Sequence, residues 1–242
     1  FSVNDSVSAS AGGSFAGNVG MGGTLAVTGN TTVGGTLGVT GATTVAGNIN
    51  LPTANTFLLG AGHNVVQVDS TRTYLYGGTD GVQFRSADNS TVLGAIDNLG
   101  QMTLPLQPAF LARPASQQAN IAVGTAVNIA FGTEVYDQNA DFASNTFTAP
   151  VTGKYFLSCS LYIKNLDSAS SYYELTINTS NRIHYSIFDP DFGQDNTYFS
   201  PSIAVLTDMD AGDTAIVQIV QGTGAQQTDV EAGSQFSGYL VC

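Results

Sequence analysis

From Gly17 to Pro52 apolar and polar positions follow one another in a six-residue period: GNVGMG, GTLAVT, GNTTVG, GTLGVT, GATTVA, GNINLP. Glycine opens each unit, and Met21, Val27, Val33, Val39, Val45 and Leu51 fill its fifth place. The third place holds Val19, Leu25, Thr31, Leu37, Thr43 and Ile49. Places three and five therefore share a face, as alternate residues of a strand do. The pattern predicts a β-ribbon whose apolar face is Val19, Met21, Leu25, Val27, Val33, Leu37, Val39, Val45, Ile49 and Leu51. A lone ribbon cannot bury that face, so such repeats stack on neighbours or wind with other chains. A single-chain β-helix takes three hexads per coil. The six units here would make two coils, fewer than the roughly three repeats a stack needs. Chains wound about a threefold axis avoid the shortage, with glycine at each corner. The expectation is an intertwined trimeric stalk over residues 17–52, at most about 120 Å long at ~3.3 Å per residue, after an extended lead-in over 1–16.

The period breaks after Pro52 while strand chemistry continues. TYLYGG (73–78), GVQFRS (81–86), TVLGAID (91–97) and GQMTLP (100–105) are short runs separated by Gly, Asn and Asp turn signals. A block of about fifty residues with few large apolar side chains is too small for a core of its own. Residues 53–105 thus read as a β-rich neck that shares a core with other copies. From 106 onward Tyr155, Leu157, Cys159 and Leu161 alternate with Phe156, Ser158 and Ser160, giving a strand with one apolar face. Further strands are expected at 126–131, 171–178, 182–188, 200–208, 214–221 and 235–242. Their spacing suggests a sandwich or jelly roll over 106–242, with Phe147, Tyr155, Leu157, Cys159, Leu161, Phe236 and Leu240 in its core.

Composition narrows the function. Six Lys and Arg stand against eighteen Asp and Glu, a formal charge of −12 in 242 residues, which removes the basic footprint that nucleic-acid binding requires. No apolar run reaches the roughly 18 residues of a spanning helix, so no membrane insertion is expected. The start, Phe1-Ser2-Val3-Asn4, reads as a mature or partial product. No nucleophile–base–acid set is visible, and His63, in the turn-like GAGHN, and His184, in a strand pattern, read as structural. The chain is expected to be no enzyme and to need no cofactor, calcium excepted.

NTFTAPVTGKYFLSCSLYI (145–163) resembles the central signature of C1q-like globular heads, in the places of Phe147, Thr148, Pro150, Gly153, Tyr155 and Phe156. AFLARP (109–114) looks like the first strand of such a head. Ala211-Gly212-Asp213 with TAIVQIV, then FSGYLV (236–241), look like its last two. The resemblance implies a jelly roll of the tumour-necrosis-factor type that trimerises and binds ligands on its outer surface. The stalk and VQFRSADNSTVLGAIDNLGQMTLP resemble the shaft and neck of tailed-phage fibre proteins. Animal C1q proteins differ, since their stalk is collagen with glycine at every third residue. The expected protein is all-β: a homotrimeric phage tail fibre in the virion, attached through its N-terminal side to other tail proteins and binding a host cell-surface glycan or protein. The alternative is a structural subunit of a bacterial or spore surface filament.

Two clusters carry candidate chemistry. Phe192 and Tyr198, with Asn181, Gln194 and Asn196, have the residue mix of a stacking surface for sugars or proteins, and are the expected receptor site. Asp189, Asp191 and Asp195 surround Gly193 as in a calcium loop, yet position twelve would be Ser200 where an EF-hand needs Glu. Some C1q-like heads carry calcium near the trimer axis, which keeps the three as calcium candidates. Cys159 and Cys242 fall on strands that neighbour each other in such a jelly roll, so a disulfide is conceivable there if their Cα atoms lie within ~7 Å.

Overall fold

The computed structural model describes residues 22, 24–41, 43, 44, 46, 56–60, 63–68 and 71–242. The chain divides after Pro52 into two units, residues 1–52 and 53–242. Among the described residues there is no helix and hence none that could cross a membrane.

In the single chain residues 24–41 form neither strand nor helix. Leu25 (66 % exposed), Val27, Val33, Leu37 (69 %) and Val39 all face solvent. The pattern that predicts a shared core thus finds no core within one chain. Val19, Met21, Val45, Ile49, Leu51 and the lead-in 1–16 lie outside the described residues.

The neck holds two small antiparallel sheets. One joins β1 (Thr56–Gly60), β2 (His63–Val68) and β3 (Thr73–Leu75), with Gly60 opposite His63. The other joins β4 (Val82–Arg85), β5 (Val92–Ile96) and β6 (Met102–Thr103). Ser86 and Ser90 both donate to Asp88 in the β4–β5 turn, which holds that carboxyl down at about 2. Leu75, Phe84, Leu99, Met102 and Leu104 are exposed, so this part has no core of its own. An open apolar groove of about 440 Å³ lies between Leu93, Leu104 and Leu106 of the neck and Val151, Val241 and Cys242 of the head.

Residues 109–240 supply the core. The strands are β7 (Ala109–Arg113), β8 (Ala126–Asn128), β9 (Thr133–Asp137), β10 (Phe142–Ala143), β11 (Thr146–Thr148), β12 (Gly153–Ser160) and β13 (Ile163–Leu166). There follow β14 (Tyr173–Thr179), β15 (Ile183–Phe188), β16 (Asn196–Phe199), β17 (Ser202–Met209), β18 (Thr214–Gln221), β19 (Asp229–Val230) and β20 (Gln235–Leu240). A five-stranded sheet, ordered β17-β12-β20-β7-β9, packs on a six-stranded one, β10-β11-β18-β14-β15 with β8 on β18. The chain crosses repeatedly between the sheets, the mark of a jelly roll.

Alternation decides what is inside. On β12, Tyr155, Leu157 and Cys159 are fully buried while Lys154 and Ser160 are exposed. Phe110 of β7 stacks on Phe142 and Phe147 from the opposite sheet, with centroids 4.9 and 4.8 Å away, and meets Phe236 edge-on at 5.0 Å. Gly238 makes the room: a Cβ there would sit 2.6 Å from Leu157 Cδ2 and 2.9 Å from Phe110 Cε1. Of the expected core, Phe147, Tyr155, Leu157, Cys159, Leu161 and Phe236 are fully buried, and Leu240 packs half-buried at the rim.

The disulfide does not form, and both cysteines are free. β12 and β20 do pair, but Cys159 lies opposite Phe236 while the Cys242 carbonyl accepts from Lys154 N. Five residues of strand, about 17 Å, separate the two places, well beyond the ~7 Å limit. Burial also pushes the Cys159 thiol far above its ordinary range. The native protein should therefore show one thiol reactive toward a colorimetric disulfide reagent, Cys242, and a second only in denaturant. Phe110→Ala should lower stability to denaturant by about 3–5 kcal/mol, the usual cost of deleting a buried phenyl ring.

Candidate functional site at the head apex

β12 enters the sandwich at the neck side, where Lys154 N bonds Cys242 O and Leu240 N bonds Pro108 O. The opposite end gathers the loops after β7, β13, β15 and β18, and three carboxylates tie them. Buried Asp167 accepts from Ala169 N (2.9 Å) and Ala225 N, linking the β13–β14 loop to the segment after β18. Gly224 sits at φ +93° with no room for a Cβ, which would lie 2.1 Å from Asp167 Oδ2, so no side chain could let Asp167 close so tightly on this turn. Asp195 accepts from Gln227 Nε2 (2.8 Å), Ser168 N and Ser168 Oγ (both 2.9 Å), and these bonds hold its carboxyl below the usual carboxylate range. Asp229 accepts from Gln117 Nε2, Asn165 Nδ2 and Asn120 N.

Within this frame runs an aromatic ladder. Tyr173 is buried, its hydroxyl bonded to Asp167 N and Thr228 Oγ1. It stacks on Phe188 (5.4 Å), which meets Phe199 (4.7 Å), which meets Phe192 (5.5 Å). Phe192 is the open end, 42 % exposed, in an exposed loop with Gln194.

The five residues expected to bind a receptor are not one surface. Phe192 and Gln194 share the apical loop, and Asn196 starts β16 opposite Leu166. Tyr198 projects from the face of β16 opposite Phe199, because Phe199 pairs with buried Ile163 on the core side and Tyr198 pairs with Lys164 outside. Asn181 lies at the neck-side end of β15, bonded to Asp213 Oδ2 at 2.7 Å. The six residues of β15 carry it about 20 Å from the apical loop.

The calcium candidates are likewise divided. Asp195 is committed to Ser168 and Gln227, and among the described residues no three His, Cys, Asp or Glu side chains gather to hold a metal. His184 packs inside β15, 3.2 Å from Thr207 Oγ1, where burial holds it below the ordinary histidine value.

Sequence reasoning missed the outer face of the five-stranded sheet. Leu206, Phe156, Tyr239 and Ala109 are cross-strand partners there, and Leu206 (60 %) and Tyr239 are exposed. Beyond the end of β12 the burial alternation continues through Tyr162 to Lys164 on β13, and the Tyr162–Tyr198 pair (5.7 Å) lies outward there, toward the apex. The even-numbered places from 154 to 164 were the available signal.

Two stacked antiparallel sheets with crossing connections and loops gathered at one end define a jelly-roll head that presents its surface to partners. The chain belongs to the C1q family: the C1q domain model matches residues 109–241. Domains of this family are generally trimeric, non-enzymatic binding modules. Among solved structures, the globular domain of zebrafish complement 1qA is similar at 17 % identity, covering 56 % of this chain and 98 % of that one with a TM-score of 0.42. Murine APRIL, crystallised at pH 8.5, is similar at 12 % identity, covering 56 % of this chain and 99 % of its own, with a TM-score of 0.41. No curated protein matches the chain.

Asp195 sets an acid limit. Its folded pKa is depressed, so its contribution is fully present above the unfolded value of about 4 and is lost as pH falls from there through the lower folded value. The protection of the Ser168 amide against exchange, taken relative to its intrinsic rate at each pH, should fall below pH ~4. Asp195→Asn should show low protection already at neutral pH, with little further change on acidification.

Proposed function

We propose that the chain is a homotrimeric attachment fibre of a tailed phage, in which the hexad stalk and the neck carry a C1q head to a receptor on the host surface. One observation carries the reading: apolar side chains are exposed wherever the chain lacks its own core. They include Leu25 and Leu37 of the stalk, Phe84 and Met102 of the neck, and Leu206 and Tyr239, with half-buried Phe156 between them, on one sheet face of the head. Soluble monomers rarely leave contiguous apolar patches of this kind open, and such patches mark interaction surfaces. In a trimer, stalk and neck share a core between copies, and the sheet face packs against its neighbours.

The same assignment sorts the candidate receptor residues. Tyr198 falls on the assembly face with Tyr162, whereas Phe192 and Gln194 stand at the apex, away from the neck, where a fibre meets its target. The virion is the place this reading gives the protein, with other tail proteins bound at the N-terminal side.

Light scattering on the full chain should give a trimer. Leu206→Asp, which sets a charge on the apolar face, should shift the mass toward monomer. A monomeric wild-type mass would remove the stalk and head readings together. Phe192→Ala should leave the mass unchanged and reduce adsorption to host cells, while Tyr198→Ala should lower the temperature at which the trimer dissociates. Unchanged adsorption in Phe192→Ala would take the apical loop out of the receptor site.

A further inference from the structure

On the outer face of the six-stranded sheet, Tyr185 of β15, Thr176 of β14, Gln218 of β18 and Asn128 of β8 stand in one cross-strand row. Asn178 lies two residues from Thr176 on the same face. Its Nδ2 donates to Gln218 Oε1, and Gln218 Nε2 donates to Asn128 Oδ1 at 2.7 Å. The relay runs one way across three strands, with the carbonyl of Asn178 at one end and the second amide proton of Asn128 at the other. Asn178 Oδ1 and Thr176 Oγ1 are buried and have no hydrogen-bond partner. Thr176 is only 3 % exposed. Buried polar atoms are nearly always paired, so two orphans in adjacent rows of one sheet face call for an explanation. Beside them Tyr185 keeps a ring open to solvent, flanked by exposed Ile183 and Ile187.

We infer that this row is a binding site for an uncharged saccharide. Sugar hydroxyls donate and accept at once, which suits a row that offers an acceptor at one end, a donor at the other and a free hydroxyl between. The Tyr185 ring supplies the flat apolar surface on which a pyranose face stacks. Turning of the exposed Tyr185 ring opens the way to the Thr176 hydroxyl beside it. Charge selects against acidic sugars: the row itself is uncharged, Glu174 is the ionisable neighbour in the next row, and the chain carries −12. Ile183 and Ile187 give the face an apolar edge on either side of Tyr185, and the row next to that edge offers the mixed donors and acceptors that sugar hydroxyls pair with. The site rests on the attachment reading for its use, although its chemistry does not depend on it.

The test is calorimetric titration of the full chain with maltotetraose, chitotetraose and, as the acidic comparator, sialyllactose. At least one uncharged saccharide should bind, and sialyllactose at least about tenfold more weakly. Tyr185→Ala and Gln218→Ala should each weaken binding about tenfold or more with the particle mass unchanged, and Tyr185→Phe should retain it. Thr176→Val separates function from packing: removing an unpartnered hydroxyl should raise the melting temperature, yet it should weaken binding, which a purely structural threonine would not do. Failure of both uncharged saccharides, equal affinity for sialyllactose, or full binding by Tyr185→Ala would overturn the inference. Adsorption to host cells separates the two readings. A chain that adsorbs but binds neither saccharide overturns this site and keeps the attachment function, and saccharide binding without adsorption does the reverse.

Discussion

The head is closed by one contact between its sheets: Phe110 on β7 against Phe142 and Phe147 from the other side, with Phe236 edge-on beside it. Aromatic rings bury large areas and fix their relative geometry, so this cluster sets how the sheets lie on each other. Gly238 is a consequence, since the strand beside Phe110 has no room for a side chain. The burial of Tyr155, Leu157 and Cys159 is another, because inward places on β12 are defined by the sheet opposite. Once those places are assigned, Phe156, Tyr162 and the residues paired with them must point out of the sandwich.

That assignment turns the packing of the head into a statement about assembly. A strand period of two allows no compromise: what is not inside is on the opposite face. Polar outward residues would have made a solvated sheet, as in many antiparallel sandwiches. Here the other outer rows are polar or small, as in Lys154–Asp208 and Ser237–Ser158–Ala204, but Leu206, Phe156 and Tyr239 form an apolar band across them for which water is a poor partner. The exposed Leu25 and Leu37 of the stalk and Phe84 and Met102 of the neck meet the same difficulty. Residues 24–41 and the neck lack apolar partners within one chain, whereas the head has its own core and leaves only an outward band uncovered.

The fold was legible where strands are long and one-sided. The run from Phe147 through Phe156 falls on β11, a tight turn and β12, and the seven-to-eight-residue strands β14, β17 and β18 lie where alternation places them. β9 was missed because TEVYD is exposed at a sheet edge along most of its length and shows no period. β10, β16 and β19 have two to four residues, too few for any period to register. The candidate site was legible in its apical part alone. Asn181 sits near Phe192 in the chain, yet a six-residue strand between them is a rod about 20 Å long. Phe192 packs on Phe199, which takes the inward place of β16, while parity leaves Tyr198 on the opposite face. The paired cysteines failed for the same reason: neighbouring strands bring together only residues in register.

Charge then constrains how such a head can recognise anything. With −12 on each chain and six basic residues in 242, the head is repelled at long range by an anionic surface, and steering by opposite charge is not available to it. If the head attaches as proposed, it does so through short-range contacts, which are individually weak when they consist of one exposed ring and a few amides. Three copies on one axis change the arithmetic, because the second and third contacts form at the effective concentration set by the first. In the attachment reading proposed above, a weak, uncharged recognition surface and a trimer would be two parts of one solution: repulsion disfavours nonspecific adhesion, and a threefold repeat makes the specific contact last.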